Sequence, residues 1–186
     1  EAEEELRSFA EEHGIPVVST MMGIGVMPND DDLYMGMLGT NGKPHANYAV
    51  HECDVLVLVG ARVADRAVVK PYKLERRNTT IVHIDVDPAE IGKNLGTTVP
   101  LVGDVHVIFE NLLQYEIPGD YTAWNEELAE RKAAYVDRRH FNPDFVNPCR
   151  FVQTLSSKMN DDAIYVADVG QNQLWSADNY VMKHGR

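Results

Sequence analysis

Cysteine is scarce in this sequence, and the spacings that would use it for structure are missing. Cys53 and Cys149 are the two cysteines among 186 residues, and they form no CxxC pair. A disulfide framework or a cysteine zinc site needs more cysteines, more closely paired, so we expect two buried free thiols. The seven histidines show neither HxH nor HExxH spacing, and no metal site is predicted within the chain.

Long apolar runs and positive charge are also in short supply. No run of about 18 uncharged apolar residues occurs, and the opening EAEEELRSFAEEHG is too charged for the core of a signal peptide. We therefore expect no membrane span and a cytoplasmic protein. A formal net charge of -12 would repel a phosphate backbone, so nucleic acid is not an expected partner.

The chain does contain β-rich runs that alternate with helical patterns. An amphipathic helix comes first, and Gly14 is its expected stop signal. The four β-rich runs are IPVVST (15–20), DVLVLVGA (54–61), TTIVHIDVD (79–87) and VPLVGD (99–104). Apolar runs without alternation are typical of parallel strands that are covered on both faces. The predicted fold class is α/β, with a Rossmann-like doubly wound, mainly parallel sheet.

The segments between and after these runs predict the rest of the fold. MGMLGTNG is interpreted as a glycine-rich turn, and helices are predicted over 43–53 and VHVIFENLLQYE, with a short helical turn at AEIGKN. We expect residues 1–116 to be a central domain of the FAD- or nucleotide-binding type, whose N-terminal strand is missing. Residues 117–147 are predicted to be a surface linker with a charged helix. Residues 148–186, with helices over CRFVQTLSSKMN and QNQLWSADNYVM around the strand-like AIYVADVG, begin a second, truncated α/β unit.

The loops that follow the β-rich runs carry glycine, arginine and acid. In open parallel sheets, ligands bind at the carboxyl ends of the strands. Glycine lets the backbone approach a diphosphate, arginine pairs with its oxygens, and a strand-end acid accepts a hydrogen bond from a ribose hydroxyl. Together these loops predict a dinucleotide site, although each glycine taken singly could simply close a turn. The residues concerned are Gly23, Gly60, Arg62, Arg66, Asp85, Gly103 and Asp104.

Six ordered motifs give the chain a specific family resemblance. They are STMMGIG, GMLGTNG, VLVGARVADR, VHIDVDPAEIGKN, VPLVGD and DVGQNQLW. In this order they resemble the large subunit of acetolactate synthase, also called acetohydroxyacid synthase, a thiamine-diphosphate-dependent enzyme. The resemblance places the end of the central domain near Tyr115 and the start of the thiamine-diphosphate domain near Pro148.

The resemblance also implies which residues bind cofactors. The loop that touches the diphosphate of thiamine diphosphate corresponds to Val169, Gly170, Gln171 and Asn172. Contacts to FAD would fall on Thr20, Met21, Gly23, Leu38, Gly39, Thr40, Asn41, Gly42, Gly60, Arg62, Arg66, Asp85, Val86, Glu90, Gly103, Asp104 and Val105.

The implied activity is the condensation of pyruvate with a second 2-oxoacid in branched-chain amino acid biosynthesis. The implied cofactors of the full-length protein are thiamine diphosphate and Mg²⁺. Its activating glutamate and its magnesium ligands would lie outside these residues, so no catalytic residue is assigned here and the fragment by itself should be inactive. The implied assembly is a homo-oligomer, a dimer or a tetramer, which can include a regulatory small subunit.

Two departures and several alternatives accompany this interpretation. The family usually has Met-His where Thr40 and Asn41 stand, so the flavin contact is altered and FAD need not be bound. It usually has His where Asn172 stands, so the diphosphate contact is altered as well. Another thiamine-diphosphate enzyme, such as a pyruvate oxidase or a different 2-oxoacid carboligase or decarboxylase, would share the fold. A non-catalytic nucleotide-binding module is a further alternative. A sirtuin-like deacylase is disfavoured, because two cysteines cannot build its four-cysteine zinc site.

Overall fold

The computed structural model describes residues 2–64, 78–137, 139 and 141–182. The helices are α1 (Glu3–His13), α2 (Pro44–Glu52), α3 (Val105–Leu112), α4 (Thr122–Ala133), α5 (Pro148–Lys158) and α6 (Gln171–Asn179). The strands are β1 (Val17–Ser19), β2 (Tyr34–Met37), β3 (Val55–Val59), β4 (Thr80–Asp85) and β5 (Val99–Val102). Across the described ranges, every helix is too short or too polar to cross a bilayer.

The strands form two parallel sheets. One has the order β3-β4-β5 and the other pairs β1 with β2. Helices flank both sheets, so the predicted α/β fold with parallel strands is confirmed, and each of the four β-rich runs contains a strand. Gly14 ends α1 in the left-handed conformation at φ 63°, where glycine carries no Cβ penalty.

Helices cover the larger sheet from opposite sides. On one face, Ile84 packs with Phe9 of α1 and Phe109 of α3. On the other face, Leu58 and Ile81 cluster with residues that include Val50 of α2. Helices that come before and after the strands thus cover both faces of this sheet, as expected of a doubly wound fold.

The expectation that β3 is covered on both faces is wrong at its start. Val55 and Val57 are 53% and 39% exposed. They share a face with Val59, which packs in the cluster formed by α1 and α3. These two helices therefore cover the carboxyl half of that face and leave the amino half to solvent.

Two predicted segments, the turn at MGMLGTNG and the helical turn at AEIGKN, have a different conformation in the structure. Tyr34–Met37 forms β2 instead of part of a glycine-rich turn, because Tyr34, Met35 and Met37 bury their side chains and the strand pairs with β1. The segment AEIGKN forms successive turns and no helix. Gly92 adopts a left-handed φ of 69° there, which interrupts any helical run.

The strand predicted at AIYVADVG is absent. Residues 163–168 belong to no sheet, and Ile164 and Val166 are 89% and 84% exposed. A strand needs a neighbour to pair its N–H and C=O groups, and no strand lies beside this segment in the described ranges. The flanking helices α5 and α6 are present as predicted.

The charged helix α4 packs on the central core through one buried face. Leu128 is fully buried against Met35 and Ala46. Lys132 Nζ donates hydrogen bonds to the carbonyl oxygens of Asp31 at 3.2 Å and Tyr34 at 2.9 Å. The residues predicted to form a linker therefore contribute core contacts.

Candidate functional site

The carboxyl edge of the three-stranded sheet brings the predicted nucleotide residues together. Gly60 N–H donates to the carbonyl of Ile84 at 2.8 Å, and Gly103 N–H donates to the carbonyl of Asp85 at 3.1 Å. The ends of β3, β4 and β5 thus lie side by side. Gly60, Asp85 and Gly103 are neighbours on one edge, as their positions after parallel strands predict.

The described residues at this edge leave space for a ligand. Gly60 has a φ of 56°, and a Cβ at its position would meet no atom of the described residues within 4 Å. Val86 is 70% exposed. Asp85 is buried, and its Oδ1 accepts a hydrogen bond from Asp87 N–H at 2.9 Å. Asp104 is exposed and caps α3, where its Oδ1 accepts from His106 N–H at 2.9 Å. Backbone N–H groups thus hold the carboxylates of Asp85 and Asp104 in place at this edge.

The remaining residues predicted for this edge have differing surroundings. Arg62 is exposed, and its carbonyl oxygen accepts from Asn94 Nδ2 at 2.7 Å. Glu90 pairs with Lys93 at 2.8 Å. Val105 is the first residue of α3. Arg66 lies outside the described residues.

A second group of predicted residues follows β1 and β2. Leu38 N–H donates to the carbonyl of Ser19 at 2.9 Å, and Gly23 N–H donates to the carbonyl of Thr20 at 2.9 Å. The turn that contains Thr20, Met21 and Gly23 therefore starts beside the loop Leu38–Gly42. We refer to residues 38–42 as the flavin loop, after the cofactor predicted for it.

The flavin loop is tightly fixed. Asn47 of α2 accepts from Gly39 N–H at 2.8 Å and donates to the Gly39 carbonyl at 2.9 Å. A Cβ at Gly42 would lie 2.4 Å from the carbonyl oxygen of Met37, so only glycine fits there. Thr40 and Asn41 are exposed at the tip. Hydrogen bonds fix Gly39 and close packing fixes Gly42, whereas the exposed tip at Thr40 and Asn41 can contact a ligand.

The two sheets share a hydrophobic cluster near their carboxyl ends. Leu38, which follows β2, packs against the cluster that contains Leu58 and Val63 at the end of β3. Val18 of β1 packs against the same cluster. The two groups of predicted residues therefore lie on adjoining parts of one unit.

The segment predicted to bind a diphosphate, residues 169–172, spans the start of α6. Gly170 adopts a φ of 136°, and no side chain caps the first turn of α6. Val169 is 83% exposed, and Gln171 and Asn172 are also exposed. The first N–H groups of an uncapped helix lack intrahelical partners and favour an anion. The segment 169–172 can therefore receive a phosphate group.

A cleft of about 700 Å³ joins this helix to the flavin loop. Asn41 and Gly42 lie on one wall, and Gln171 and Trp175 of α6 lie on another. The structure thus brings the tip of the flavin loop and the start of α6 to the same cavity. Within the described ranges, no group of three or more His, Cys, Asp or Glu side chains could hold a metal ion.

Sequence reasoning missed the charged residues that line this cleft. Asp178 of α6 pairs with Lys43, which follows the flavin loop, and with Arg139 at 2.5 Å. Arg139 also pairs with Asp137 and lowers the pKa of that carboxyl group to about 2. Burial, followed by the charge of Lys43, lowers the pKa of His45. No spacing in the sequence signals the two pairs that Asp178 makes, because Lys43 and Arg139 are both far from it along the chain.

Comparison with known proteins shows the family to which the chain is related. The family model described as thiamine pyrophosphate enzyme, central domain, matches residues 1–112. A probable acetolactate synthase large subunit of Methanocaldococcus jannaschii is 40% identical, over 100% of this chain and 33% of its own length. Acetolactate synthase 2, chloroplastic, of Nicotiana tabacum is 38% identical, over 100% of this chain and 29% of its own.

A third relative is the acetolactate synthase large subunit of Corynebacterium glutamicum. It is 39% identical, over 95% of this chain and 29% of its own length. The chain thus spans about a third or less of the length of these curated relatives.

Proposed function

Since this chain belongs to the thiamine pyrophosphate enzyme family through its central domain, we propose that it is part of an acetolactate synthase large subunit. The full-length protein would condense pyruvate with a second 2-oxoacid. It would use thiamine diphosphate and Mg²⁺, and would assemble as a homo-oligomer to which a regulatory small subunit can bind. The names of the relatives and their coverage of the chain support this activity.

One structural observation carries the proposal. The uncapped first turn of α6, which begins at Gln171, lines the same cleft as the tip of the flavin loop. When bound, thiamine diphosphate would supply the chemistry that removes CO₂ from one 2-oxoacid and joins the remainder to a second 2-oxoacid. In this chain, Gln171 and the N–H groups that follow Gly170 would hold the diphosphate oxygens. Asn172 retains a side-chain amide that can donate a hydrogen bond.

The carboxyl edge of the larger sheet would hold the nucleotide part of FAD. Its fit rests on Gly60, where the space for a Cβ is open, and on the carboxylates of Asp85 and Asp104. Those acids can accept hydrogen bonds from ribose hydroxyl groups. The flavin loop would contact the other end of the molecule through Thr40 and Asn41. These residues orient the cofactor, and the proposal assigns no proton transfer to them.

We also propose the domain division that the sequence predicts. Residues 1–116 would be the central domain, 117–147 a connecting segment, and 148–186 the start of the thiamine-diphosphate domain. The match of the family model to 1–112 supports the first boundary. Helix α4 lies within the connecting segment and packs on the central domain through Leu128.

Product analysis of the full-length protein tests the activity. The protein is incubated with pyruvate, thiamine diphosphate and Mg²⁺, with and without 2-oxobutyrate, and the products are separated. Acetolactate from pyruvate, and acetohydroxybutyrate from the mixture, are the expected results. Acetaldehyde as the main product would favour a decarboxylase, and hydrogen peroxide formed with consumption of O₂ would favour a pyruvate oxidase. Either of these outcomes would contradict the proposal.

A further inference from the structure

Asp178 holds two cations at the wall of the cleft. Its Oδ1 pairs with Lys43 Nζ, and its Oδ2 pairs with Arg139 Nη2 at 2.5 Å. The side chain of Asp178 is 9% exposed, whereas those of Lys43 and Arg139 are 23% and 38% exposed. A carboxylate this well buried needs both opposite charges and hydrogen bonds to compensate for lost water. Asp178 is therefore the inner member of this group.

The first cation connects Asp178 to the flavin loop. Lys43 directly follows Gly42, and its backbone N–H donates to the Met37 carbonyl at 2.7 Å. The Lys43 ammonium group also lies 5.2 Å from the centre of the Tyr135 ring, within the range of a cation–π contact. The ammonium group of Lys43 is thus held by Asp178 and Tyr135, while its backbone is bonded to the residue before the flavin loop. The ion pair therefore connects Asp178 to the end of that loop.

The second cation connects Asp178 to the segment after α4. Arg139 Nε donates to both carboxylate oxygens of Asp137, at 2.9 Å and 2.8 Å. Its Nη2 is then directed at Asp178. A planar guanidinium held by one carboxylate presents its remaining N–H groups in a fixed direction. Arg139 therefore restricts the position of Asp178 from a second side.

The same face of α6 carries Asp178 and the predicted diphosphate contact. Gln171, Leu174, Trp175 and Asp178 all line the cleft, as residues spaced by three, four and seven positions do on one helix face. Asp178 lies about 10 Å along the helix axis from Gln171, at 1.5 Å per residue. Because a short helix moves as a rigid body, the ion pair between Asp178 and Lys43 also fixes the first turn of α6 relative to the flavin loop.

We propose that Asp178 is a positioning residue that couples the flavin loop to the thiamine-diphosphate segment. Its ion pair with Lys43 sets the orientation of α6, and through α6 the position of Gln171 and the first N–H groups. This inference rests on the proposed function, because the diphosphate contact comes from it. The coupling is an addition to that function, and it predicts that a charge far from the diphosphate controls the affinity for the cofactor.

Helix α6 has other contacts that keep it folded. The ion pair therefore affects the orientation of the helix and not its folding. Gln153 Nε2 donates to Asn179 Oδ1 at 3.0 Å, and Tyr165 OH lies 2.7 Å from Ser176 Oγ. Asn29 exchanges two hydrogen bonds with Met182 just beyond the helix. These contacts keep α6 attached to the protein when the ion pair is removed. Without the pair, the helix as a whole can tilt about them relative to the flavin loop.

Titration of thiamine diphosphate with Mg²⁺ into the full-length protein tests the coupling. The variants are Asp178→Asn, Lys43→Met, their double variant and Asp178→Glu. We expect each single charge-removing variant to raise the Kd by roughly tenfold, and the double variant to match the worse single one, as residues acting through one contact do. Asp178→Glu restores the charge and should recover most of the affinity. In the assay, KM for the cofactor should rise while kcat at saturation changes little.

A matched ion pair away from the cleft provides the control. Arg131 of α4 pairs with Glu127 at 3.0 Å, and Arg131→Met should lower the melting temperature without changing the Kd. If Asp178→Asn and Lys43→Met lower the melting temperature and leave the Kd unchanged, the residues are merely structural and the inference is wrong. Lys43→Met keeps the test decisive if Asp178→Asn does not fold, since Lys43 is less buried.

Product analysis and the Kd values together distinguish failure of the proposed function from failure of the coupling. Wild-type protein that binds thiamine diphosphate but forms no acetolactate would contradict the proposed activity, and the Kd values of the variants would still decide the coupling. Wild-type protein that forms acetolactate, with variants of unchanged Kd, would contradict the coupling alone. Wild-type protein that binds no thiamine diphosphate would overturn both.

Discussion

Asn47 uses both ends of its amide group to hold Gly39. Its Oδ1 accepts from Gly39 N–H at 2.8 Å, and its Nδ2 donates to the Gly39 carbonyl at 2.9 Å. These two bonds attach the flavin loop to α2. The loop therefore has its conformation before any ligand arrives, and the cost of ordering it on binding is reduced.

Replacing Asn47 should loosen the flavin loop. Asn47→Ala removes two partly buried hydrogen bonds, each contributing about 1 kcal/mol to the free energy of unfolding. We expect the full-length protein to lose most of its proposed flavin, measured as the ratio of visible flavin absorbance to protein. Asn111→Ala is the matched control, because its Nδ2 donates to the Val107 carbonyl at an exposed position of α3. Equal flavin content in both variants would refute a role for Asn47.

Gly60 and Gly14 offer a comparison between a ligand site and a simple turn. Both have a left-handed φ, 56° and 63°, and neither would bring a Cβ into a clash. Gly60→Ala and Gly14→Ala should each cost about 1 to 2 kcal/mol of stability from backbone strain. Only Gly60→Ala should also reduce FAD binding, measured by titration of the apoprotein. A similar loss of FAD in both variants would mean that destabilisation alone explains it.

Leu128 tests whether α4 is part of the central core. The side chain is fully buried against Met35 and Ala46, so Leu128→Ala should lower the free energy of unfolding by about 2 to 5 kcal/mol. Glu130→Ala, at an exposed position of the same helix, should have little effect. Urea denaturation of the two variants measures the difference. Equal midpoints would show that α4 packs loosely, as a linker would.

His106 predicts a dependence of stability on pH. The hydrogen bond to Glu5 of α1, followed by nearby carboxylates, raises the pKa of His106; its Nδ1 lies 3.0 Å from Glu5 Oε1. Because this pKa is raised, the contribution of His106 to the free energy of unfolding is complete below the ordinary histidine pKa of about 6.5. The contribution is lost as pH rises through the raised pKa. His106→Gln should therefore be less stable than wild type at low pH and equal to it at high pH.

Thermal melts of wild type and His106→Gln between mildly acidic and alkaline pH measure this contribution. The difference between the two proteins should also shrink in high salt, because the pair is partly exposed and is screened. A difference that stays constant with pH would show that the charge of His106 does not tie α1 to α3.

The residues at the carboxyl edge could be predicted because the rule behind them is local. Gly60, Asp85 and Gly103 each follow an apolar β-rich run. Parallel strands place their carboxyl ends at one edge, so identifying the strands was enough to bring these three residues together. In the structure, β3, β4 and β5 are parallel neighbours, as this rule requires.

Other features depend on contacts between distant parts of the chain. The ion pair between Lys43 and Asp178 joins the residue before α2 to α6, and no periodicity or spacing in the sequence predicts that contact. Strand β2 was missed because the glycines in YMGMLGTNG indicate a turn, whereas burial of Met35 and pairing with β1 decide the outcome. The pattern of residues 163–168 is that of a strand, yet a strand forms only beside a partner.

The central claim is that the segment at the start of α6, residues 169–172, binds a cofactor diphosphate. Calorimetric titration with thiamine diphosphate and with thiamine tests this claim most directly. In the presence of Mg²⁺, the full-length protein should bind thiamine diphosphate with saturation and should bind thiamine far more weakly. Gln171→Ala should weaken the first interaction and leave the second unchanged. Equal binding of the two ligands, or no effect of Gln171→Ala, would contradict the account.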